Sequence, residues 1–283
     1  MKFPISWVSE FAKLPKDLDS DSITQALVGA GFEVEGVQNL ADEIKGPIKF
    51  GKVISIEEIT EYKKPIRWVS VDVGEIHNVI CGAQNFKVGD HVVVALPGAL
   101  LPGPFPITAR ETYGRTSDGM ICSARELGMG DDHTGILVME EQDSPIGSDA
   151  IATLGLDEVI FDVAINPDRG YAMSIRGIAR ELATAFNLDF QDPASLVEVN
   201  DANSQSGPIK VSIIEGADRI HLRSVSEVNP NAKSPLWMVR RLQMCGMRSI
   251  SIAVDVTNYV MIELGQPLHA FDSDRIKGSI IVR

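Results

Sequence analysis

The sequence predicts an α+β protein of several domains, with a β-rich block inserted into an α/β module and a further unit behind it. Three observations predict this. First, 283 residues exceed a single typical core, so two or three domains are expected. Second, short apolar runs broken by Gly, Pro and Asn turns fill the stretch from about 46 to 139, as in a small barrel or sandwich. Third, a strand pattern and a helix pattern stand on each side of that stretch, so the two flanks are placed to pair with each other.

Taken in order, the first flank opens with an amphipathic helix. Ser20, Asp21 or Ser22 is placed to cap it, Ile23, Ala26, Leu27 and Ala30 share a face, and Gly31 ends it. FEVEGV (32–37) then alternates as a strand, with Phe32 and Val34 on one side. In the block, IKFGKVISI, IRWVSVDVG, EIHNVICG and GDHVVVALPG read as strands, followed by the Gly- and Pro-rich LLPGPFP. The glycines at 114, 119, 128, 130 and 135 mark a backbone that turns tightly at the end of the block. The second flank is the strand VIFDVAI (159–165) and a helix with Ile175, Ile178, Leu182 and Phe186 on one face. Residues 191–208 have linker composition near their end.

A third unit begins near 209. SPLWMVRRLQMCG carries helix punctuation, with Ser234 as cap, Pro235 in the first turn and Gly246 after the end. SISIAVDV (249–256) reads as a strand, and Thr257 as the cap of a helix containing Val260, Met261 and Leu264 and closed by Gly265. The terminal IVR is strand-like, and a domain that stops there is expected to be a piece of a longer one.

Composition narrows the function classes. Hydrophobic content of 44% and charged content of 23% are those of a soluble globular protein, and no apolar run reaches membrane-spanning length. Cys81, Cys122 and Cys245 are far apart and form no CxxC pair, so buried thiols in a reducing cytosol are expected rather than disulfides or zinc. Net charge is −13, which argues against a free-standing nucleic-acid binder. It is unevenly spread, with 16 basic against 31 acidic residues in 1–200 and ten against eight in 201–283. Walker A, GxGxxG, HExxH and GxSxG patterns are missing, and the five histidines lack metal-ligand spacing. No metal site and no cofactor are expected in the chain.

Two groups of residues carry candidate chemistry. In VDVTNYVMIELGQPLHAFD (254–272), Thr257, Asn258 and His269 supply a hydroxyl, an amide and an imidazole around the rigid Pro267 and Leu268. The competing reading is structural: Thr257 only caps, His269 is a satisfied core histidine, and the aspartates bond turns. In the β-rich block, which fits an OB-like barrel, Lys63, Lys64 and Arg67 in one loop and Arg110 and Arg115 beside Tyr113 are candidate nucleic-acid contacts. Against them, 39–150 holds 17 acidic and 10 basic residues, so a solvated rim is the competing reading.

At these residues the chain resembles the bacterial phenylalanyl-tRNA synthetase beta subunit family, from its N-terminus onward. GRTSDGMICSARELGMGDDHTGI is similar to the end of that family's OB-fold, tRNA-binding insertion. NPDRGYAMSIRGIAREL is similar to the motif that follows it, with Pro167-Asp168-Arg169-Gly170-Tyr171 departing from the more usual Asn and Asp pattern. VDVTNYVMIELGQPLHAFD is similar to the signature of the editing domain. The resemblance implies an N-terminal α/β module in two parts, 1–39 and 151–200, an OB-fold tRNA-binding domain at 40–150, and the start of a truncated α+β editing domain at 209–283.

The function implied is that of the N-terminal part of a phenylalanine–tRNA ligase beta subunit, a class II aminoacyl-tRNA synthetase. It would support charging of tRNA(Phe) by tRNA contact and by hydrolysis of Tyr-tRNA(Phe). An apolar pocket rejects an added hydroxyl only about a hundredfold, so a second, hydrolytic site raises accuracy. By similarity Arg248, Thr257, Asn258, Pro267, Leu268 and His269 would line that site. His269 and Asn258 would place the 3′-adenosine or the attacking water, Thr257 would orient a substrate carbonyl, and Pro267 and Leu268 would shape the aromatic slot. The implied partners are the alpha subunit of an α2β2 heterotetramer and tRNA(Phe), with no membrane and no DNA, in the cytoplasm. Aminoacylation, with its ATP and Mg2+, would belong to the complete enzyme. The alternatives are a stand-alone OB-type tRNA-binding module without catalysis, and an assembly segment for the alpha subunit.

Overall fold

The computed structural model describes residues 1–62, 65–130, 134–196 and 209–283. The chain begins with β1 (Lys2–Pro4), α1 (Ile5–Ala12), α2 (Ser20–Gly29) and β2 (Glu33–Asn39). The cap of α2 is Asp19, ahead of the three residues expected, and its carboxylate accepts from the Ser22 backbone N–H at 2.6 Å. Ile23 and Leu27 form the buried stripe of α2. Helix α1 was not foreseen, although Trp7, Val8, Phe11 and Ala12 are buried with helical spacing.

The β-rich block folds as β3 (Ile48–Ile59), β4 (Ile66–Asp72), β5 (Ile76–Cys81) and β6 (His91–Ala95), then short pieces. These are β7 (Leu100–Leu101), β8 (Phe105–Pro106), β9 (Arg110–Thr112), β10 (Arg115–Ser117), β11 (Met120–Ile121) and β12 (Val138–Met139). Helix α3 (Ala150–Leu154) and β13 (Val159–Ala164) follow. The main sheet runs β11-β6-β3-β4-β5, with β12 also on β6. Strand β3 serves two neighbours: its first half pairs with β6 and its second with β4, with a register shift between Val53 and Ser55. A bulge at that point bends the strand and strengthens its twist. The sheet curls into a half-barrel, and the β10–β11 connection lies against β5, where Asp118 N donates to Asn78 O and Ile80 N donates to Ser117 Oγ. The curled sheet fits an OB-like fold rather than a sandwich. Val53, Val69, Val71, Val79, Val92, Val94 and Ile121 fill it, and Cys81 and Cys122 are buried thiols that burial pushes up in pKa.

A separate three-stranded sheet has the order β1-β13-β2, with β1 antiparallel to β13. Strands from both sides of the barrel in sequence therefore share one sheet.

The remainder is α4 (Ile175–Ala185), β14 (Val211–Ile213), α5 (Leu236–Met244), α6 (Ile252–Leu264) and β15 (Ile280–Val282). Ser174 caps α4 by accepting from Gly177 N at 3.0 Å. The linker expected over 191–208 lies outside the described residues from 197 onward. The terminal strand finds a partner, because β15 pairs in parallel with β14. The molecule divides into two compact units: Lys2–Ser6 with Val34–Val163, and Trp7–Glu33 with Ala164–Arg283.

Three expectations are corrected here. Residues 249–256 are not a strand, because α6 begins at Ile252. Thr257 is not a cap but an interior residue of α6, and its Oγ1 donates to Val254 O at 2.8 Å. Ser234 is not the cap of α5 either, for Pro235 stands there and the Ser234 hydroxyl is turned to Asp255.

Candidate functional site

The segment 249–272 is organised by one buried carboxylate. Asp255 accepts from Ser234 Oγ at 2.5 Å, Ser249 Oγ at 2.6 Å and Ile250 N at 2.9 Å. The Ser234 bond ties the first turn of α6 to the residues before α5, the other two tie it to the α5–α6 connection, and the negative charge sits at a helix N-terminus, where it is favoured. Burial pushes the Asp255 carboxyl up, and the hydrogen bonds from Ser234, Ser249 and the backbone overcome that and leave it below its ordinary value.

One turn on, Tyr259 docks α6. Its ring stacks on Trp7 at 4.6 Å and meets Trp237 edge-on at 5.4 Å. Its hydroxyl accepts from Arg241 Nη1 at 2.8 Å, and Arg241 also pairs with Glu10 while lying 5.0 Å above the Trp7 ring. Trp7 Nε1 donates to Glu263 at 3.1 Å. Burial pushes the Tyr259 hydroxyl up in pKa, so it is a neutral structural phenol. Burial disfavours the Arg241 cation, and the Tyr259 and Glu10 oxygens more than restore it. Gly265 closes α6 in the left-handed conformation at φ 76°.

This scaffold presents the expected editing residues as follows. Arg248 is exposed between α5 and α6, and Thr257 and Asn258 are half-buried on α6. Pro267, Leu268 and His269 are exposed beyond Gly265, and the His269 ring lies 4.6 Å from that of Phe271. Among the described residues no hydrogen bond joins Thr257 or Asn258 to His269. Thr257 and Asn258 are therefore consecutive on α6, set about 100° apart around the helix, and His269 lies in the following loop. Asp255 plays the part that the structural reading gave the aspartates, and Tyr259 and Arg241 are supporting residues that local patterning missed. The signal for Tyr259 was an aromatic one turn beyond that carboxylate in an apolar run.

On the barrel, Arg67 is largely committed. It donates to Glu58 Oε1 at 2.8 Å and to Phe86 O at 2.9 Å. Arg115 forms a bidentate pair with Glu57 at 2.7 and 2.5 Å and lies over Trp68. Among the described residues Arg110 has a 3.5 Å bond to Thr108 and lies over Phe105. Lys63 and Lys64 fall outside the described residues. Tyr62, Trp68 and Phe105 belong to this surface and were not foreseen. Among the described residues no cluster of three or more His, Cys, Asp or Glu is arranged to hold a metal, and no helix is long and apolar enough to cross a membrane.

Comparison with known proteins agrees with both regions. Residues 48–149 match the family described as a putative tRNA binding domain, and residues 216–283 match the B3/4 domain. The phenylalanine–tRNA ligase beta subunit of Streptomyces avermitilis is 52% identical over all of this chain and 35% of its own length. Those of Thermobifida fusca and Mycolicibacterium paratuberculosis are 50% and 51% identical, again over all of this chain, and over 35% and 34% of their lengths. The chaperone CsaA from Picrophilus torridus, 13% identical with a TM-score of 0.26 over 36% of this chain and 87% of its own, is too slight a likeness to carry weight. The chain spans about a third of the length of the curated relatives it matches, and over its own whole length it belongs to the phenylalanine–tRNA ligase beta subunit family.

Proposed function

We propose that this chain is the tRNA-contacting and editing front of a phenylalanine–tRNA ligase beta subunit. The observation that carries the reading is the full-length likeness to such subunits, with a tRNA-binding and a B3/4 match in one chain. A stand-alone OB-type module would have no use for the 254–272 signature. The division into 1–39, 40–150, 151–200 and 209–283 is part of the proposal, supported by the shared sheet of β1, β13 and β2.

In this reading Asp255 and Tyr259 hold α6 still, so that Asn258 and Thr257 face the substrate from a rigid element. Since Thr257 donates its proton to Val254 O, its hydroxyl oxygen remains an acceptor. We therefore assign it to an N–H or O–H of the aminoacyl-adenosine rather than to a carbonyl. His269 and Asn258 position the 3′-adenosine or the attacking water. Pro267 and Leu268 form the wall of the aromatic slot, and Arg248 offers a cation to the RNA backbone. Discrimination comes from pairing the tyrosine hydroxyl, which phenylalanine lacks. The amino-acid activation that consumes ATP with Mg2+ belongs to the alpha subunit of a cytoplasmic α2β2 enzyme, and no metal cluster is found among the described residues.

The test uses the complete enzyme with a full-length beta subunit. His269→Ala is expected to slow hydrolysis of Tyr-tRNA(Phe) at least tenfold and to leave phenylalanine charging intact. Unchanged hydrolysis would remove His269 from the site.

A further inference from the structure

We infer that Tyr62 and Tyr113, with the arginine–aromatic pairs beside them, form a stacking platform for unpaired bases of RNA. This rests on the tRNA-contact reading above and names what the barrel holds: an unstacked loop or end, recognised by its base faces. Tyr62 stands in the β3–β4 connection and Tyr113 in the β9–β10 turn. Their rings meet edge-to-face at 4.5 Å, and each residue is 43% exposed. Two large aromatic surfaces are thus held together in water at the tips of two hairpins.

The turn itself is unusual. Tyr113 has φ 52° and Gly114 φ 69°, and these two residues alone link Thr112 to Arg115. Positive φ at both central positions is a type I′ turn, whose first position favours Asn, Asp or Gly. A bulky ring is disfavoured there, so the fold keeps Tyr113 against local preference, as happens where a side chain has a task.

Flanking groups share the chemistry. Arg115 lies 5.2 Å over Trp68, and Arg110 lies 5.5 Å over the exposed Phe105. The β9–β10 register places Arg110 and Arg115 on one face of the hairpin. Aromatic rings and guanidinium planes are what splayed-out bases stack on. Much of the charge beside the rings is already paired: Arg115 is neutralised by Glu57 and feels Glu61, and Arg67 is paired with Glu58. Binding led by stacking is therefore expected to depend weakly on salt.

The plainer role for the tyrosines is to pack two hairpins. Tyr113→Gly separates the roles, because glycine relieves the positive φ while removing the ring. The experiment titrates the full 283-residue chain into a labelled single-stranded oligouridylate, an RNA duplex and tRNA(Phe). The single strand and tRNA are expected to bind better than the duplex. Their affinity should fall less than about tenfold between 50 and 200 mM salt, where binding through many phosphates loses about a thousandfold or more. Tyr62→Ala and Tyr113→Gly should each weaken single-strand binding at least fivefold, with the Tm of Tyr113→Gly unchanged or raised. Preference for the duplex, or equal affinity in both variants while tRNA still binds, overturns the platform and leaves the tRNA reading standing. Failure of the wild-type chain to bind any of the three RNAs overturns both.

Discussion

At the scale of single residues, Asp255 is the most consequential side chain in the 209–283 unit. It is fully buried and accepts from two hydroxyls and a backbone N–H. Asp255→Asn removes the charge and sets an NH2 group against donors, so stability at neutral pH should drop by about 2 kcal/mol. Burial raises the carboxyl, the hydrogen bonds lower it further, and the folded value ends below the ordinary 3.8. A depressed carboxylate stabilises the fold in full above its unfolded pKa and loses that contribution as pH falls through the folded value. Denaturant unfolding followed from about pH 7 to pH 3 should show the gap between wild type and Asp255→Asn closing on the acid side. A gap that stays constant would mean that the charge is not what matters. Arg241 makes a second case. Arg241→Lys keeps the charge but loses the plane over Trp7 and the link to Tyr259, and should cost about 1–2 kcal/mol in thermal unfolding. Equal stability would show that charge alone suffices.

At the scale of elements, α4 depends on a close approach that only glycine permits. A Cβ on Gly177 would overlap the Tyr171 carbonyl oxygen and stand 2.8 Å from Ala172 Cα, both backbone atoms. Neither can yield without unwinding the turn that Ser174 caps. Gly177→Ala should therefore destabilise by about 3 kcal/mol, despite alanine's better helix propensity; a stabilised variant would show that the turn relaxes freely. Elements of this kind differ in how readable they were. The barrel strands were legible because alternation and turn glycines are local signals, as was α4, with its apolar stripe. Helix α6 was misread because Ile250, Ile252, Val254 and Val256 alternate as a strand would, while the feature that decides for helix is Asp255 held by Ser234, 21 residues away. Thr257 accordingly reads as a cap in the sequence and sits mid-helix in the fold. For the site, the residue types of 254–272 were visible in order. Their support by Trp7 and Arg241 was not, because those contacts cross from other helices. Tyr113 shows the same limit: its sequence position marks a turn, but its positive φ and its pairing with Tyr62 exist only in three dimensions.

At the scale of the whole molecule, the two units hold their backbones in different ways. Strands β3, β4 and β6 are paired along their length around a closed valine core. Between Ile214 and Lys233 the backbone–backbone bonds among the described residues are Ile214 N to Val282 O and Ala232 N to Asn229 O, and nearly every residue is exposed. The same unit leaves Val225 75% and Ile214 67% exposed, along with Trp237, Ile250 and Phe271. Where such groups lie side by side, another surface is expected to cover them. The relatives offer a source for it, since this chain spans about a third of their length. In this chain alone, amides from 215 to 231 should exchange with solvent near unfolded rates while those of β3, β4 and β6 exchange slowest, and the chain should bind an apolar dye. In a full-length beta subunit carrying the same residues, the 215–231 amides should gain at least a hundredfold protection and the dye signal should fall. Equal exchange in the two proteins would mean that this surface stays open to water in the complete subunit, and that its apolar residues meet their partner elsewhere than in the rest of their own chain.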